Sequence, residues 1–365
     1  MSDRSCSDHH TQSSLLVPDL LSHPLFAAWL GIGAIALSLV LILLLAYLRY
    51  TLRRRTQAER SFLAVWRPLL LSSLQSSVAT VLPMVARHER VYFLKLWNQL
   101  MRSASSNEAA ENLIAIAYSV GADRYSRRFL TRGKRVECLL ATLTLGHLRD
   151  HASWDALVLQ TMAADNATAI HAFQALVQID AAAAAQQLTP LMLARNDWAI
   201  THIAGILQPA HAAFMLPLLE AAEEIRAAHL VRALRLIEAL QLPLSHTAIL
   251  KLLDQDNDTD IIIAALRIAS DASLLPHIRP HLQHPDWRVR GQAAKVIGRI
   301  GEHPDVNRLI PLLADAEWWV RYRAAQSLVG IPFLSMTEIE LLRNNLSDRF
   351  ARDMLSQAIA ERQTL

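Results

Sequence analysis

Two hydrophobic patterns divide the chain. Residues 25–48 contain no Asp, Glu, Lys, Arg or His. Beyond residue 60, apolar residues recur at i, i+3, i+4 and i+7, which is the spacing of amphipathic helices, and no alternating strand pattern is found. The breaks between these helices are short and contain cap-forming residues such as Asp165, Asn196 and Ser245. The pattern predicts an all-α chain with one very apolar helix followed by a long series of short ones.

The uncharged run is long enough to cross a membrane. At 1.5 Å per residue it spans about 36 Å, against about 30 Å for a bilayer core. Pro24 precedes it, and Tyr47 and Tyr50 lie at its C-terminal end, where aromatic rings favour the headgroup layer. A signal peptide would begin with basic residues, whereas this chain begins acidic, and a buried core helix rarely lacks charge over such a length. We therefore predict a single transmembrane helix.

The charges around this run predict its orientation. Residues 49–135 carry 16 Lys and Arg against 5 Asp and Glu, whereas Arg4 is the only Lys or Arg before the run. The positive-inside rule then predicts an extracytoplasmic N-terminus and a cytoplasmic C-terminal part. The predicted organisation is a tail over 1–24, a transmembrane helix over 25–48, a basic juxtamembrane helical region over 49–106 that includes a linker at 53–60, and a helical-repeat region over 107–365.

A repeat is visible in the C-terminal third. Residues 284–297 align with residues 315–328 at a constant offset of 31. The matched pairs are Trp287/Trp318, Val289/Val320, Arg290/Arg321 and Ala294/Ala325. Weaker copies begin at Asp254 and Asp197. A period of this size predicts stacked helical units that share one core.

These residues resemble the HEAT-repeat family, of the bacterial HEAT-like type. The resemblance implies an α-solenoid of six to eight units, each made of two antiparallel helices, whose second helix opens with Val-Arg. It assigns structural roles to Val289, Ala294, Val320 and Ala325, and it implies that Arg290 and Arg321 bond turn groups such as Asp315. His284 departs from the family pattern, which has Asp at that position of the turn.

Aromatic residues lie beside cations near the repeat turns. They are Trp287, Trp318 and Trp319, with Arg288 and Arg323. Such combinations are typical of protein-binding hot spots, although core packing explains them equally well. We treat these five residues as candidate partner-binding residues.

The densest basic cluster lies over 124–135. Its members are Arg124, Arg127, Arg128, Arg132, Lys134 and Arg135. Three interpretations stay open: a solvated helix face, contact with anionic lipid headgroups near the anchor, or contact with a phosphate-bearing or acidic partner.

The sequence offers no catalytic motif and no convincing metal or cofactor site. Nucleophile-elbow, Walker, His-Glu-x-x-His and Cys-x-x-Cys motifs are all missing. The run Asp254–Asp260 resembles a calcium loop, but Thr259 and Ala265 replace its essential Gly and Glu. The histidines of 277–284 share a helical face that Pro280 interrupts. We predict no enzymatic activity.

The leading hypothesis is a membrane-anchored scaffold that binds a protein partner at the cytoplasmic face of the membrane. An envelope or polysaccharide assembly is the context that we consider for it. The resemblance also allows a HEAT-like enzyme, similar to bilin lyases or DNA glycosylases, and the basic cluster allows a module that senses lipid or phosphate. Because residues 136–365 carry a net charge of −6, we expect no DNA-binding groove in the repeats.

Overall fold

The computed structural model describes residues 24–74, 82–104, 106–224, 227–254 and 256–363, and these contain helices and no strand. The α-helices are α1 (Pro24–Ser72), α2 (Arg90–Ser103), α3 (Asn107–Ser119), α4 (Ala122–Arg132), α5 (Arg135–His147), α6 (Trp154–Thr161), α7 (Asn166–Ile179), α8 (Ala181–Ala194), α9 (Ile200–Leu207), α10 (His211–Glu224), α11 (Ala227–Leu240), α12 (His246–Leu252), α13 (Thr259–Ile268), α14 (Leu275–Ile278), α15 (Trp287–Ile300), α16 (His303–Leu309), α17 (Trp318–Gly330), α18 (Met336–Asn345) and α19 (Arg349–Gln363). The predicted all-α architecture is confirmed.

Helix α1 has two unlike halves joined without a break. Every side chain described between Ile35 and Tyr50 is exposed, although most are apolar. From Phe62 onward the helix instead buries one face. The predicted linker at 53–60 is wrong, because these residues continue the helix. The apolar half is therefore joined to the folded part through one continuous helix.

The C-terminal half of α1 packs on α2. Trp66 meets Phe93 edge to face at 5.1 Å between ring centroids, and Phe62 lies 6.1 Å from Tyr92. Trp97 of α2 is fully buried and donates its indole N–H to the carbonyl of Leu113 in α3 at 2.8 Å. These rings form a separate core at the N-terminal end of the stack.

From residue 122 onward, the described helices form eight consecutive pairs, α4–α5 through α18–α19. The second helices of the pairs make a continuous row with α2 at its start, each touching the next, from α5 to α19. The first helices cover this row, and successive first helices touch closely at α8 and α10. One core runs through the pairs from Leu130 to Ile359. This is the arrangement of an α-solenoid, as predicted.

Small residues allow the second helices to approach each other closely. Ala293, Ala294, Ala324 and Ala325 are fully buried between α15 and α17 or against their first helices. At Gly298, a Cβ atom would lie 2.7 Å from the Cα of Ser327 on the neighbouring helix. The small side chains thus permit the close approach of α15 and α17.

Two buried or half-buried ion pairs connect successive repeats. Arg290 of α15 donates to both carboxylate oxygens of Asp315, in the next turn, at 2.8 Å each. Arg279 likewise donates to Asp305 of α16 at 2.7 and 3.0 Å. Both arginines have a planar fork that matches a carboxylate, so the pairs set the relative orientation of the repeats.

The close helix approach gives a stability prediction. We expect Gly298→Ala to lower the unfolding free energy by about 1–3 kcal/mol, because the backbone of Ser327 must move to admit a methyl group. Gly205→Ala is the matched control, since nothing lies within 4 Å of a Cβ in that helix. Alanine there should raise stability by about 0.5–1 kcal/mol. Urea unfolding followed by circular dichroism measures both, and equal midpoints would contradict the predicted contact.

Candidate partner-binding groove

A groove crosses the row of second helices in the C-terminal half. Its recess of about 390 Å³ is lined by residues of four consecutive second helices, α11, α13, α15 and α17: Glu238, Arg267, Gln292, Lys295, Val296, Arg299 and Arg323. An adjoining recess of about 340 Å³ shares three of these residues and adds Gly298, Gln326, Ser327 and Gly330. Four successive second helices therefore line it, so the groove lies on the face of the stack formed by the second helices.

Repeat geometry produces this groove. On α15 the lining positions 292, 295, 296 and 299 are spaced i, i+3, i+4 and i+7, which places them on one helical face. On α17 the lining positions 323, 326, 327 and 330 have the same spacing and are offset by 31. The repeat that aligns the buried residues therefore also aligns the surface of the groove.

The groove is locally basic. Arg267, Lys295, Arg299 and Arg323 contribute four cations against the single carboxylate of Glu238. Arg267 is 3.9 Å from Glu238, and Arg299 donates to the carbonyl of Ala269. Lys295 forms no ion pair with any residue in the described part of the chain. The net charge summed over residues 136–365 is negative, so that sum did not indicate this positively charged surface.

An aromatic edge adjoins the groove at α17. Trp318 stacks on Tyr322 with 5.1 Å between ring centroids, and Trp319 packs edge-on against Trp318 at 4.8 Å. The two indoles are 41% and 52% exposed. The Tyr322 hydroxyl donates to Glu361 at 2.9 Å, which raises the pKa of Tyr322, and it accepts from Gln326 of the groove. Trp318 and Trp319 are thus available to a ligand.

The remaining candidate binding residues are placed differently. Trp287 is 38% exposed at the start of α15. Arg288 is held by Asp286 at 2.8 Å and by Asp260 of the preceding repeat at 3.1 Å, which raises the pKa of its guanidinium. Arg323 lines the groove and donates to Gln326 at 3.1 Å.

The repeat residues lie in the core or in the turns. Val289, Val320, Ala294 and Ala325 are fully buried. Arg290 and Arg321 each donate to two carbonyls of their own turn, those of His284 and Pro285 for Arg290 and of Asp315 and Ala316 for Arg321.

The basic cluster of 124–135 does not form one surface. Arg127 binds Asp150 at 2.9 Å, and Arg135 binds Asp165 at 2.8 Å. Arg132 and Lys134 are exposed at the end of α4 and in the following turn. Arg124 and Arg128 instead line a separate recess with Arg90 and Tyr125.

The acidic and histidine runs have structural contacts. Asp258 caps α13 by accepting from the amide of Asp260 at 3.0 Å. His281 is buried and contacts the carbonyl of Leu253 at 2.8 Å, and burial lowers its pKa. Among the residues with described positions, no three His, Cys, Asp or Glu side chains converge as a metal site.

Sequence reasoning missed Arg267, Lys295 and Arg299 in the groove, as well as Arg90 and Tyr125 in the N-terminal recess. The 31-residue offset of the groove positions was a usable signal, because it holds for surface residues as well as for core ones. For Arg90 and Tyr125, which are far apart in sequence, the pattern held no comparable signal.

Two segments are long and apolar enough to cross a membrane. The first covers Ile35–Ser72, and its most apolar 18-residue stretch has a mean hydropathy of 2.1 and is not buried. The second covers Ile200–Ala222, where the corresponding stretch has a mean hydropathy of 1.3, and it supplies Ile203, Phe214 and Leu218 to the core. Packing thus accounts for the apolar character of the second segment but leaves that of the first unexplained.

The stacked helix pairs, the shared core and the groove define a helical-repeat protein of the α-solenoid class. Within this class, residues 244–329 match the family model described as HEAT repeats, so this part of the stack is built of HEAT repeats. A crystal structure of an engineered protein is similar at 16% identity, covering 73% of this chain and 88% of that chain, with a TM-score of 0.35. HEAT repeats generally mediate protein–protein interaction, which supports a scaffold function for this repeat region.

Proposed function

We propose that this protein is a single-pass membrane scaffold whose groove binds an acidic segment of a protein partner at the cytoplasmic face. The observation that carries the proposal is the groove itself, with four cations from three successive second helices and the Trp318–Trp319 edge beside it. Guanidinium groups favour planar carboxylates, and exposed indoles add apolar contact area.

The exposed half of α1 supports the membrane part of the proposal. The side chains described from Ile35 to Tyr50 are exposed and mostly apolar, a surface that a lipid environment would cover. Arg49, Arg53 and Arg54 follow on the exposed surface, as expected for the cytoplasmic end. Anchoring raises the effective concentration of the groove for a partner in the same membrane.

Binding is favoured over catalysis and over DNA. The groove is lined by cations, amides and one carboxylate, a set suited to holding an anionic surface. Four cations are few for a duplex, since DNA-binding proteins commonly neutralise about 6–10 phosphates. A membrane anchor also serves a membrane-associated partner better than a nucleic acid.

Charge reversal in the groove tests the proposal. In a pull-down of the intact protein from gently solubilised membranes, we expect Lys295→Glu with Arg323→Glu to reduce recovery of the partner at least about tenfold, because two attractions become repulsions. Lys251→Glu with Arg343→Glu is the matched control on the first helices α12 and α18. Equal recovery by both double variants, or a gel shift of duplex DNA that the groove variant abolishes, would refute the assignment to a protein partner.

A further inference from the structure

A second recess lies at the N-terminal end of the solenoid, away from the groove. It has a volume of about 340 Å³ and is lined by Arg90, Val120, Gly121, Arg124, Tyr125 and Arg128. Three of the six lining residues are arginines and none is acidic. Positions 121, 124, 125 and 128 follow the spacing of one helical face, so the first two turns of α4 form its wall.

The backbone at this recess leaves hydrogen-bond donors available. Gly121 is the N-cap residue that precedes α4; it has the left-handed conformation, with φ of 72°, and supplies no side-chain cap. Among the described residues, no side chain caps the amides in the first turn of α4. A helix N-terminus with open amides and a positive dipole end attracts anions.

A buried hydroxyl provides an independent sign of a ligand. Tyr125 is 5% exposed, and its hydroxyl has no hydrogen-bond partner within the described part of the chain. The same holds for the Nε atom of Arg90, whose guanidinium lies 5.1 Å from the centroid of the Tyr125 ring. Buried polar groups normally find partners, so two unpaired donors at one recess point to an absent acceptor. Burial raises the pKa of Tyr125, so its hydroxyl remains a donor.

The surrounding charges leave the recess positive. The nearest acidic residue along α4, Asp123, contacts Arg127 at 3.4 Å, and Arg127 is also bound to Asp150. Arg124 and Arg128 form no ion pair with the residues whose positions are described. Three guanidinium groups, open amides and a phenolic hydroxyl are all donors, which suits an acceptor with several oxygens and a double negative charge.

We infer that the recess formed by Arg90, Arg124, Tyr125 and Arg128 binds the phosphate group of a small soluble molecule. Its height above the membrane favours a soluble source over a lipid headgroup. Arg90 begins α2, whose Tyr92 rests on Phe62, and Phe62 lies twelve residues beyond Tyr50, about 18 Å along α1. The preference for a soluble ligand over a lipid headgroup rests on the proposed membrane helix. The inference of a phosphate site does not depend on that helix.

The test uses the full-length protein in nanodiscs of neutral lipid and titrates inorganic phosphate, with binding followed by calorimetry. We expect the variant Arg124→Gln with Arg128→Gln to weaken phosphate binding at least about tenfold, because two charge-assisted bonds are lost. Arg132→Gln removes a cation from the same helix outside the recess and should leave binding unchanged. Tyr125→Phe should weaken binding without lowering the melting temperature, since its hydroxyl has no partner among the described residues.

Two results would overturn the inference: no phosphate binding by the unaltered protein, or equal weakening by Arg132→Gln. A second set of nanodiscs containing phosphatidate distinguishes the sources. If phosphatidate competes with inorganic phosphate in a manner that depends on Arg124 and Arg128, the ligand is a lipid headgroup and the assignment to a soluble molecule is wrong. Loss of the groove's partner leaves these titrations unaffected, so the two proposals fail separately.

Discussion

Arginine at Ile35, Leu39 and Leu43 is expected to release the protein from the membrane fraction. Each Arg near the centre of a transmembrane helix costs about 2.5–3.5 kcal/mol, so three cost about 7.5–10.5 kcal/mol. The remaining Leu, Ile, Val and Phe of residues 25–48 favour insertion by only about 0.3–0.6 kcal/mol each. The balance therefore turns against insertion, and fractionation with alkaline extraction measures the change.

The control keeps the same positions and replaces them with alanine. Ile35→Ala, Leu39→Ala and Leu43→Ala shorten the side chains without adding charge, so the protein should remain with the membranes. A reporter fused to the C-terminus checks the side of the membrane, where we expect a cytoplasmic signal. Retention of the triple-arginine protein in the extracted pellet would show that residues 25–48 are held by protein contacts instead of lipid.

The repeat register could be predicted from the sequence because one offset relates many residues. Val289 and Val320, like Ala294 and Ala325, recur at 31 and are buried in equivalent places. Helix starts follow from the same alignment, since α15 and α17 begin at Trp287 and Trp318. A repeat that shares one core must preserve both its spacing and its buried positions, so the signal is strong.

The path of the chain after the apolar run could not be predicted so well. Residues 53–60 are rich in Arg and read as a linker, yet they continue α1. Packing against α2 stabilises the helix through this segment. Glu59 is 3.1 Å from Lys95, and Phe62 and Trp66 are buried against α2. Arginine is itself a good helix former, so a charged run between two apolar segments is compatible with one long helix.

The binding surfaces were the least predictable feature. The net charge of a segment includes all of its residues, whereas only a few exposed positions on four helices line the groove. The groove is therefore basic although the segment that contains it is acidic. The N-terminal recess depends on Arg90 and Tyr125, which meet only because α2 and α4 pack together. Sequence alone gives the residues of a cluster such as 124–135, but not which members are neutralised by neighbours such as Asp150 and Asp165.

Removing the Asp305 carboxylate is expected to be the most destabilising single change in the repeats. The side chain of Asp305 is fully buried and accepts from Arg279 at 2.7 and 3.0 Å and from the amide of Glu302 at 3.0 Å. Asp305→Ala removes the buried carboxylate that Arg279 binds, and leaves Arg279, which is 22% exposed, only the exposed carboxylate of Glu302 at 2.9 Å. Breaking one partner of a buried ion pair commonly costs about 3–5 kcal/mol, and urea unfolding of the full-length protein measures the loss.

An exposed ion pair in the same chain gives the matched control, and pH gives a second measurement. Asp353 is 69% exposed and 3.8 Å from Arg349, so Asp353→Ala should cost less than about 1 kcal/mol.

Burial raises the pKa of Asp305, but hydrogen bonds from Arg279 and the Glu302 amide outweigh burial and hold this pKa below its ordinary value. A lowered native pKa stabilises the fold above about pH 4, the unfolded value, and this contribution is lost as pH falls through the native pKa. The stability difference between the unaltered protein and Asp305→Ala should therefore be full at neutral pH and shrink below about pH 4. A difference that is small at neutral pH, or that grows on acidification, would contradict a structural role for this ion pair between repeats.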